Sequence, residues 1–456
     1  MNLKNKRVTV VGLGNSGVNA AILLNSLGAF VKATDESDSS SARETSAKLK
    51  EKGIKVETGR HTQGFVKGSD LVVVSPGVED SSLPVKWAKE SGIPVIGEME
   101  LGFNFCKGKI IAITGTNGKS TVTTLIGKIL KDGGKTVVVC GNIGNSLCGE
   151  IARIKKDTYV VLEVSSFQLE KIKHFKPHIA LILNITDDHM DRYEKFSDYF
   201  KEKLKVFENQ DKDDVLILNG DAGNLKELKD KARARVLFYS RLNRTGASYI
   251  KDGHIFCAAN GVEKEICPVS DIRLKGVHNV ENVLASVLVG DLAGVSQASM
   301  RDTIEEFKGL HHRFETVATI DGVEYIDDSK GTTVDSTRRA LESCRRPVIL
   351  IAGGKDKHSD YSAARDIVKR KVKTLVLIGE ASGAIKKGMR DVVNVREAKD
   401  MFEAVAIAHS MAKDDYIVLL SPMCSSFDMF KDYKERGEIF KKAVYGVKDY
   451  SEKVKA

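Results

Sequence analysis

The stretch Ile110-Ile111-Ala112-Ile113-Thr114-Gly115-Thr116-Asn117-Gly118-Lys119-Ser120-Thr121 decides the fold class of this 456-residue chain. Its four leading apolar residues predict a buried strand, and residues 122–131 have the spacing of a helix. The backbone N–H groups of a glycine turn between a strand and a helix form an anion site. Lys119 can offset phosphate charge there, and Ser120 or Thr121 can offer a hydroxyl to Mg²⁺. We therefore expect ATP and Mg²⁺ as ligands.

The loop is a shortened form of the common phosphate-binding pattern. That pattern has a glycine five positions before Gly118, where this chain has Ile113. A plain glycine turn is the alternative, but it does not explain Gly-Lys-Ser-Thr between a strand and a helix. The residues expected to contact ATP here are Gly115, Thr116, Asn117, Gly118, Lys119, Ser120 and Thr121.

Strand-like and helix-like stretches alternate along the rest of the chain. This alternation predicts α/β domains with parallel sheets covered by helices. The length suggests about three domains. We place them at residues 1–97, 98–309 and 310–456, with a linker near residues 94–97. Residues 235–268 read as short β segments.

Composition excludes several classes of protein. The formal charge is +9, but aromatic residues are only 6%, and Lys alternates with Glu in stretches such as residues 201–205. We interpret such stretches as solvated helix faces, so no nucleic-acid partner is expected. No apolar run reaches the length of a membrane span. The basic start lacks the long apolar core of a secretory signal, so a cytoplasmic location is expected. The seven cysteines lack the spacing of a zinc or dithiol site.

A second glycine turn, Gly12-Leu13-Gly14-Asn15-Ser16-Gly17, follows the first predicted strand, and Asp35 ends the next. The spacing is that of a dinucleotide fingerprint, in which the helix end meets a diphosphate and the acid meets a ribose hydroxyl. It indicates a ligand with a diphosphate and a sugar, and NAD is one alternative. Ser75-Pro76-Gly77 ends another strand of this block and is either a second ligand loop or a simple turn.

Polar residues also stand at strand ends in the second block. Glu163 ends a buried strand, where a carboxylate beside a phosphate loop can hold Mg²⁺ directly or through water. His189 lies in the polar cluster 184–191 after the next strand. It can bind a metal or phosphate, although a lone histidine is usually structural.

The third block has three polar loops after predicted strands, at residues 327–333, 353–357 and 421–428. Together they offer acids, cations and hydroxyls, which suits a small anion such as a carboxylate. Each loop taken alone could be ordinary helix capping.

These residues resemble the Mur ligase family over the whole chain, and more specifically its D-glutamate-adding branch. The motifs that carry the resemblance to the family as a whole are residues 114–121, 163–170 and 184–193 and the stretch His312-Arg313-Phe314-Glu315. Marks of the branch are the first glycine turn with Asp35, residues 75–77, 141–144, 328–332 and 421–427. An L-alanine-adding member would be expected to have histidine in place of Asn117.

The resemblance implies a three-domain fold, with Rossmann-like first and third domains around a central ATPase-like domain. It also implies a reaction. ATP would phosphorylate the carboxylate of UDP-N-acetylmuramoyl-L-alanine, and the D-glutamate amine would attack the acyl phosphate, in cytoplasmic synthesis of peptidoglycan precursors. Two Mg²⁺ ions and Lys119 would offset the phosphoryl charge. A monomer is expected.

The resemblance also assigns residues by position. The catalytic positions are Lys119, His189 and Lys203, the last matching a carbamylated lysine of the family. The metal positions are Ser120, Glu163, His189 and Lys203. Further ATP positions are Asn279, Asn282, Arg313, Asp328 and Lys330. The UDP-sugar positions are Gly14, Asn15, Ser16, Asp35, Ser75, Pro76, Gly77, Asn142 and Gln168. The D-glutamate positions are Thr332, Lys357, Ser426, Phe427 and Tyr433.

Three other functions compete with this one. A ligase of the same family that adds another amino acid, such as L-lysine, is the closest. An NAD-dependent oxidoreductase would use the first glycine turn and leave Lys119 idle. A non-catalytic nucleotide switch would have no use for Glu163, His189 and the anion loops of the third block.

Overall fold

The computed structural model describes residues 1–188, 192–274, 276–356 and 359–455. His189 and Lys357, both predicted site residues, lie outside the described residues. Within the chain, contacts define two compact units. The first comprises Met1–Ile185, Phe200–Cys267 and Val283–Thr303, and the second comprises Thr186–Tyr199, Pro268–Asn282 and Ile304–Ala456.

The first sheet lies in the first unit and is fully parallel, with strand order β3-β2-β1-β4-β5. Its strands are β1 Arg7–Val11, β2 Phe30–Asp35, β3 Lys55–Thr58, β4 Leu71–Val74 and β5 Val95–Gly97. The helices of this region are α1 Asn15–Ser26, α2 Ser40–Glu51, α3 Gln63–Val66, α4 Leu83–Glu90 and α5 Glu98–Phe105. The strand order reverses direction between β1 and β4, and ligands of such sheets bind beyond the carboxyl ends of the strands at that point.

The second sheet, also in the first unit, has nine strands in the order β14-β13-β12-β11-β10-β9-β6-β8-β7. They are β6 Lys109–Thr114, β7 Val137–Gly141, β8 Tyr159–Glu163, β9 Ile179–Ile182, β10 Val215–Asn219, β11 Arg235–Ser240, β12 Ser248–Lys251, β13 His254–Cys257 and β14 Lys264–Pro268. Strands β7 to β12 pair in parallel, and β12 pairs with β13 antiparallel. The phosphate loop therefore follows a central strand, β6, and Glu163 ends its neighbour β8.

Helices of the middle part of the chain are α6 Lys119–Asp132, α7 Leu147–Glu150, α8 Ser166–Leu169, α9 Phe196–Leu204, α10 Gly223–Lys226, α11 Val277–Leu292 and α12 Gln297–Glu306. Short 3-10 turns lie at Ile151–Arg153, Lys205–Phe207, Glu227–Asp230 and Val269–Asp271. Helix α6 buries Val122, Leu125, Ile126, Ile129 and Leu130. This spacing of three to four residues is the apolar stripe expected of a helix packed on a sheet.

The third sheet lies in the second unit, with order β15-β16-β20-β17-β18-β19. Its strands are β15 Glu315–Ile320, β16 Val323–Asp327, β17 Val348–Gly353, β18 Val372–Ile378, β19 Asn394–Glu397 and β20 Ile417–Leu420. The flanking helices are α13 Val334–Ser343, α14 Arg365–Lys371, α15 Ser382–Gly388, α16 Met401–Met411 and α17 Tyr433–Lys455, with a 3-10 turn at Tyr361–Ala364. Two apolar cores, one containing Leu350 and the other Ile351, cover the two faces of this sheet.

Two sequence-based expectations for the fold are wrong. Residues 94–97, expected to be a linker, include β5, which pairs in parallel with β4. The third sheet was expected to be parallel, and β16, β20, β17 and β18 do pair in parallel, but the additional strand β15 pairs antiparallel with β16. Strands β5 and β15 each lie at the edge of their sheet. Half of the backbone groups of an edge strand have no partner strand, and its apolar pattern is weaker.

Candidate functional site

The phosphate loop has a backbone that requires glycine at two positions. Gly115 has φ 151° and Gly118 has φ 86°. A Cβ on Gly115 would lie 3.2 Å from both the Asn184 carbonyl oxygen and Leu183 Cβ. Gly118 is the N-cap of α6 and brings no side chain to cap it. A helix end of this kind binds anions through its backbone N–H groups.

Asn184 braces this loop from the end of the neighbouring strand β9. Its carbonyl oxygen accepts from Thr116 N at 2.9 Å. Its side chain accepts from Asn117 N at 2.8 Å and donates to the Asn117 carbonyl oxygen at 3.1 Å. These three bonds fix the turn before any ligand arrives. The sequence placed Asn184 in a polar cluster but gave it no role.

Two lysines converge on the same loop. Lys119 Nζ donates to the carbonyl oxygens of Gly115 at 2.8 Å and Thr116 at 2.9 Å. Lys203 Nζ donates to the Gly115 carbonyl oxygen at 3.0 Å. Lys203 is buried, with 1% of its surface exposed. The interpretation of residues 201–205 as a solvated helix face is therefore wrong for Lys203, because the helix turns this residue toward the loop.

Glu163 places a buried carboxylate beside the loop. In the register of β6 and β8, Glu163 stands opposite Ile113. Its Oε1 accepts from Asn142 Nδ2 at 2.9 Å, whereas Oε2 is buried and has no hydrogen-bond partner within the described part of the chain. Such an oxygen costs free energy unless a cation or donor meets it. Oxygen ligands of this kind suit Mg²⁺.

Two hydroxyls complete the oxygen donors at the start of α6. Ser120 and Thr121 are both buried, and Thr121 Oγ1 lacks a hydrogen-bond partner among the described residues. The structure therefore fits the expectation that this edge of the sheet holds a nucleotide with a divalent cation.

The first glycine turn is tightly built. Gly12 has φ 88°, and its carbonyl oxygen accepts from Ser75 Oγ at 2.9 Å. A Cβ on Gly17 would lie 1.8 Å from that same oxygen. Helix α1 begins after Gly14, another N-cap without a side chain. The turn thus offers a helix end to a diphosphate, and Ser75 is used to hold the turn.

Asp35 supports the same turn. Its Oδ2 accepts from Leu13 N at 2.5 Å and its Oδ1 from Ser37 N at 2.8 Å. Asp35 also lines a cavity of about 320 Å³ beyond the ends of the strands, together with Gly12 and Gly77. The carboxylate therefore shapes the loop as well as facing this cavity.

Asn142 and Gln168, two predicted UDP-sugar residues, lie in the second sheet region instead. Asn142 is exposed and bonds Glu163. Gln168 is buried and forms a capping box with Ser165, whose N donates to Gln168 Oε1 at 2.9 Å. A direct link to α1 exists nearby, because Asn19 Nδ2 donates to Asn145 Oδ1 at 2.6 Å.

The third sheet presents its polar loops at the carboxyl ends of β16, β17 and β20. Asp328 is buried, and its oxygens accept from Phe314 N at 3.2 Å and Ser421 Oγ at 2.8 Å. Burial raises the pKa of Asp328 to about 7, although the Ser421 hydrogen bond and the Arg313 charge oppose the rise. Lys330 Nζ lies 5.3 Å from the centre of the Tyr433 ring, a cation–π contact.

Three family models match successive parts of the chain. The Mur ligase MurD-like N-terminal domain matches residues 6–97. The Mur ligase middle domain matches residues 113–290. The Mur ligase glutamate ligase domain matches residues 312–424.

The chain belongs to the Mur ligase family. A Koribacter versatilis protein named UDP-N-acetylmuramoylalanine–D-glutamate ligase is 44% identical over 97% of this chain and 98% of that protein. A protein of the same name from Thermoanaerobacter sp. (strain X514) is 43% identical over 97% of this chain and 99% of its own length.

Solved structures of Mur ligases share the fold. The UDP-N-acetylmuramate-alanine ligase MurC of Thermotoga maritima has a TM-score of 0.61 at 18% identity, covering 97% of this chain and all of that one. The MurF ligase of the same organism, solved with ADP, has a TM-score of 0.61 at 14% identity and covers 97% and 96%. The predicted three-domain α/β fold is confirmed. Family membership also displaces the oxidoreductase and the nucleotide switch as interpretations.

One buried arginine of this Mur ligase was missed by sequence reasoning. Arg436 is fully buried in α17. Its guanidinium donates to Ser329 Oγ at 3.0 Å and to the carbonyl oxygens of Ser329 at 2.8 Å, Cys424 at 3.1 Å and Ser425 at 3.2 Å. Burial lowers the pKa of Arg436 to about 10, so the side chain remains charged at neutral pH. The guanidinium also donates to the carbonyl oxygen of Gly353 at 3.5 Å, so Arg436 bonds residues of all three polar loops of the third sheet.

His312 supports the loop that carries Asp328 and Lys330. Its Nδ1 is 2.7 Å from Asp327 Oδ2, and its carbonyl oxygen accepts from Lys330 N at 3.0 Å. His312 itself has φ 62°, a left-handed conformation that few residues other than glycine adopt. The sequence marked the His312–Glu315 stretch for the family, but only this geometry shows what His312 holds.

The remaining predicted residues of the Mur ligase site divide by burial. Asn279 and Asn282 are buried, and Asn282 Nδ2 donates to Asn279 Oδ1 at 2.9 Å. Ser426 is buried and Thr332 half-buried, whereas 72% of Phe427 is exposed. An exposed aromatic ring beside a buried hydroxyl is compatible with a surface that a ligand covers.

In the described part of this Mur ligase, no helix has both the length and the apolar character needed to cross a bilayer. The seven cysteines are all free, and six are buried.

Proposed function

We propose that the chain is an ATP-dependent ligase that joins D-glutamate to UDP-N-acetylmuramoyl-L-alanine by an amide bond. The observation that carries the proposal is the similarity, over 97% of the chain, to proteins named UDP-N-acetylmuramoylalanine–D-glutamate ligase. The phosphate loop, with the Glu163 oxygen that has no hydrogen-bond partner among the described residues, supports the ATP-dependent part of the proposal independently.

The proposed reaction has two steps. A carboxylate oxygen of the L-alanyl group attacks the γ-phosphorus of ATP, the bond to the bridging oxygen breaks, and ADP leaves with its electron pair. The amine of D-glutamate then attacks the resulting acyl phosphate, loses a proton and expels inorganic phosphate. Phosphorylation is needed because a free carboxylate has no adequate leaving group.

The phosphate loop supplies the charge stabilisation for the first step. Negative charge on the transferred phosphoryl group is met by Lys119 and by N–H groups of residues 115–121. Lys119 now bonds two carbonyl oxygens of its own loop, and these weak neutral partners can be exchanged for a phosphate oxygen. The brace from Asn184 keeps the turn in place during the exchange.

Ser120 and Glu163 are the groups proposed to hold one Mg²⁺, since both are buried oxygen donors at the loop. Bound Mg²⁺ would neutralise phosphate charge during transfer. A second ion is proposed at Glu163, His189 and a carbamylated Lys203. Burial of Lys203 against the loop, with its Nζ 3.0 Å from the Gly115 carbonyl oxygen, is what favours Lys203 over Lys201, the other lysine of α9.

The substrate groups are proposed to bind at three places. The diphosphate of the UDP-sugar meets Gly14, Asn15 and Ser16 at the start of α1. Further ATP contacts come from Asn279, Asn282, Arg313, Asp328 and Lys330. D-Glutamate meets Thr332, Lys357, Ser426, Phe427 and Tyr433. We also propose domain limits at 97/98 and 309/310, a monomer, and action in the cytoplasm.

An amino-acid panel tests the proposal. Purified protein is given ATP, Mg²⁺ and UDP-N-acetylmuramoyl-L-alanine, and phosphate release is measured with D-glutamate, L-glutamate, L-lysine or L-alanine. We expect stimulation by D-glutamate and a new amide product by mass spectrometry. Stimulation by another amino acid alone would overturn the D-glutamate assignment, and no phosphate release with any of them would overturn the ligase itself.

A further inference from the structure

The cavity beyond the first sheet is lined by loops that follow four strands of that sheet. Gly12 follows β1, Asp35 ends β2, His61 follows β3 and Gly77 follows β4. Its volume of about 320 Å³ is close to that of a small organic ligand group. His61 has no role in any of the assignments above.

The charge of this cavity is unlike that of a phosphate site. Among the described residues, its lining includes three carboxylates, Asp35, Glu36 and Glu79, and the hydroxyls of Ser81 and Ser82, but neither lysine nor arginine. Carboxylates repel a diphosphate and accept hydrogen bonds from N–H and O–H groups. The cavity therefore suits the nucleoside part of a nucleoside diphosphate, while the start of α1 suits its phosphates.

A hydrogen-bonded chain behind the cavity fixes His61. The Nδ1 atom of His61 is 2.8 Å from Thr34 Oγ1, which is buried in β2. Thr34 Oγ1 is in turn 3.2 Å from Glu57 Oε1 and 3.4 Å from the Arg60 carbonyl oxygen. Glu57 also accepts from Thr62 N at 2.8 Å and Thr62 Oγ1 at 2.7 Å.

This chain of hydrogen bonds determines which imidazole nitrogen carries the proton. Both other partners of the Thr34 hydroxyl are oxygens that can only accept, and the hydroxyl has one proton to give. When Thr34 donates to one of them, its lone pair accepts from Nδ1–H of His61. The reverse arrangement would leave three acceptor oxygens facing one another. Neutral His61 therefore carries its proton on Nδ1, and Nε2 is an acceptor.

His61 is half-buried and lines the cavity, so a ligand there can meet its imidazole ring. No hydrogen bond or ion pair occupies Nε2 in the described residues. Uracil has a ring N–H at its N3 position, whereas cytosine has a lone pair there. An acceptor at this place therefore favours uracil over cytosine.

We propose that His61 is a specificity-determining residue that accepts a hydrogen bond through Nε2 from the ring N–H of the uracil base. This inference rests on the proposed function, since it names the group that reads the base of the UDP-sugar. Thr34 and Glu57 are positioning residues, because they act through the imidazole.

Calorimetry with UDP and with CDP on the full chain tests the inference. Wild type binds UDP more tightly than CDP. In His61→Leu, loss of one hydrogen bond weakens UDP binding about tenfold and leaves CDP binding within about twofold. Thr34→Val, which frees the ring, gives a smaller loss in the same direction. His254→Leu, a change at an exposed histidine elsewhere in the unit, leaves both affinities unchanged.

A spectroscopic reading separates base recognition from a merely structural role. In long-range ¹H–¹⁵N spectra, assigned by the loss of one ring in His61→Leu, the Nε2 resonance of His61 shifts when UDP is added and not when CDP is added. Equal UDP affinity in wild type and His61→Leu overturns the inference and leaves the ligase proposal standing. Wild type that binds neither nucleotide overturns both.

Discussion

Lys119 and Lys203 donate to the same atom, the carbonyl oxygen of Gly115, at 2.8 and 3.0 Å. Two ammonium groups on one oxygen repel each other, and the repulsion falls when an anion takes one of them. A phosphate group can take Lys119, and conversion of Lys203 to a carbamate would turn the second cation into an anion. The repulsion between Lys119 and Lys203 therefore depends on whether phosphate is bound to Lys119 and on whether Lys203 is carbamylated.

Replacement of Lys119 tests the division of work between the sheets. Lys119→Ala removes the cation that meets the phosphoryl group, so we expect D-glutamate-dependent phosphate release to fall at least a hundredfold, on the order of the loss of one key charge-stabilising group. UDP binding, measured by calorimetry, should stay within about twofold because the first glycine turn is untouched. Lys131→Ala, at an exposed position of the same helix, is the control. Parallel loss of turnover and UDP affinity would contradict the assignment.

Glu163→Gln tests the divalent cation site. The amide keeps the volume and the acceptor for Asn142 but removes the charge whose Oε2 is unpaired among the described residues. We expect ATP affinity in the presence of Mg²⁺ to fall by a factor of about ten or more. The ligand-free protein should melt at the same or a higher temperature, because the substitution removes a buried charge whose Oε2 has no partner among the described residues.

Asn142→Ala supplies the comparison for Glu163→Gln, since it removes the hydrogen bond and keeps the charge. Its ATP binding should retain most of the Mg²⁺ dependence. If adding a chelator weakened ATP binding by the same factor in Glu163→Gln as in wild type, the cation site would lie elsewhere.

Gly437→Ala tests the support of the loop at residues 328–332. A Cβ there would lie 2.1 Å from His312 Nδ1 and 2.8 Å from Asp327 Oδ2. His312 and Asp327 must move away from the added methyl group. We therefore expect the free energy of unfolding to fall by about 1–3 kcal/mol, the range for overpacked sites. Turnover should fall with it, because His312 holds Lys330 through its carbonyl oxygen.

The same helix offers a matched control. Gly446, also in α17, has no atom of the described residues within 4 Å of the position that an added Cβ would take. Gly446→Ala should be neutral or stabilise by about 0.5–1 kcal/mol, since glycine is unfavourable inside a helix. Equal melting temperatures for the two variants would remove the argument for His312.

Asp328 should make the protein less stable as the pH rises. Its folded pKa of about 7 lies above the ordinary 3.8. The folded state therefore binds the proton more tightly, so this contribution is complete below pH 3.8 and is lost as the pH rises through 7. Relative to Asp328→Asn, the wild-type free energy of unfolding should fall by on the order of 4 kcal/mol between about pH 4 and pH 8. Urea unfolding at several pH values measures it.

His278, in the same unit, should change stability with pH in the opposite direction. Burial, with the Arg313 and Arg339 charges, lowers the pKa of His278 to about 3 from 6.5. Its contribution is present above pH 6.5 and is lost as the pH falls toward 3. Relative to His278→Gln, wild type should therefore lose stability on acidification. The same trend for both residues would contradict their assigned environments.

Apolar runs and glycine turns in the sequence predicted the strands and turns whose conformation depends on neighbouring residues. The apolar run at residues 110–113 was predicted to be a strand that leads through a glycine turn into a helix, and the structure has β6 and α6 in that order there. Helix α6 begins at Lys119, before the predicted residues 122–131. Strand β5 was missed because three residues at a sheet edge give too short a pattern to separate from a linker.

The burial of particular polar side chains could not be predicted from the sequence. Lys203 and Arg436 look like surface residues of charged helices, and only the packing of those helices turns them inward. The pairing of His61 with Thr34 depends on the register of β2 and β3, which places residues 27 positions apart in contact. Asn184 bonds a loop 67 positions away for the same reason.

The central claim is that residues 115–121, with Glu163, bind the triphosphate of ATP together with Mg²⁺. Calorimetry of the purified full chain with ATP, in Mg²⁺ and then in excess chelator, tests it most directly. We expect one ATP per chain in Mg²⁺, with affinity at least about tenfold weaker in chelator and lost in Lys119→Ala. Wild type that shows no Mg²⁺-dependent affinity for ATP would contradict the claim.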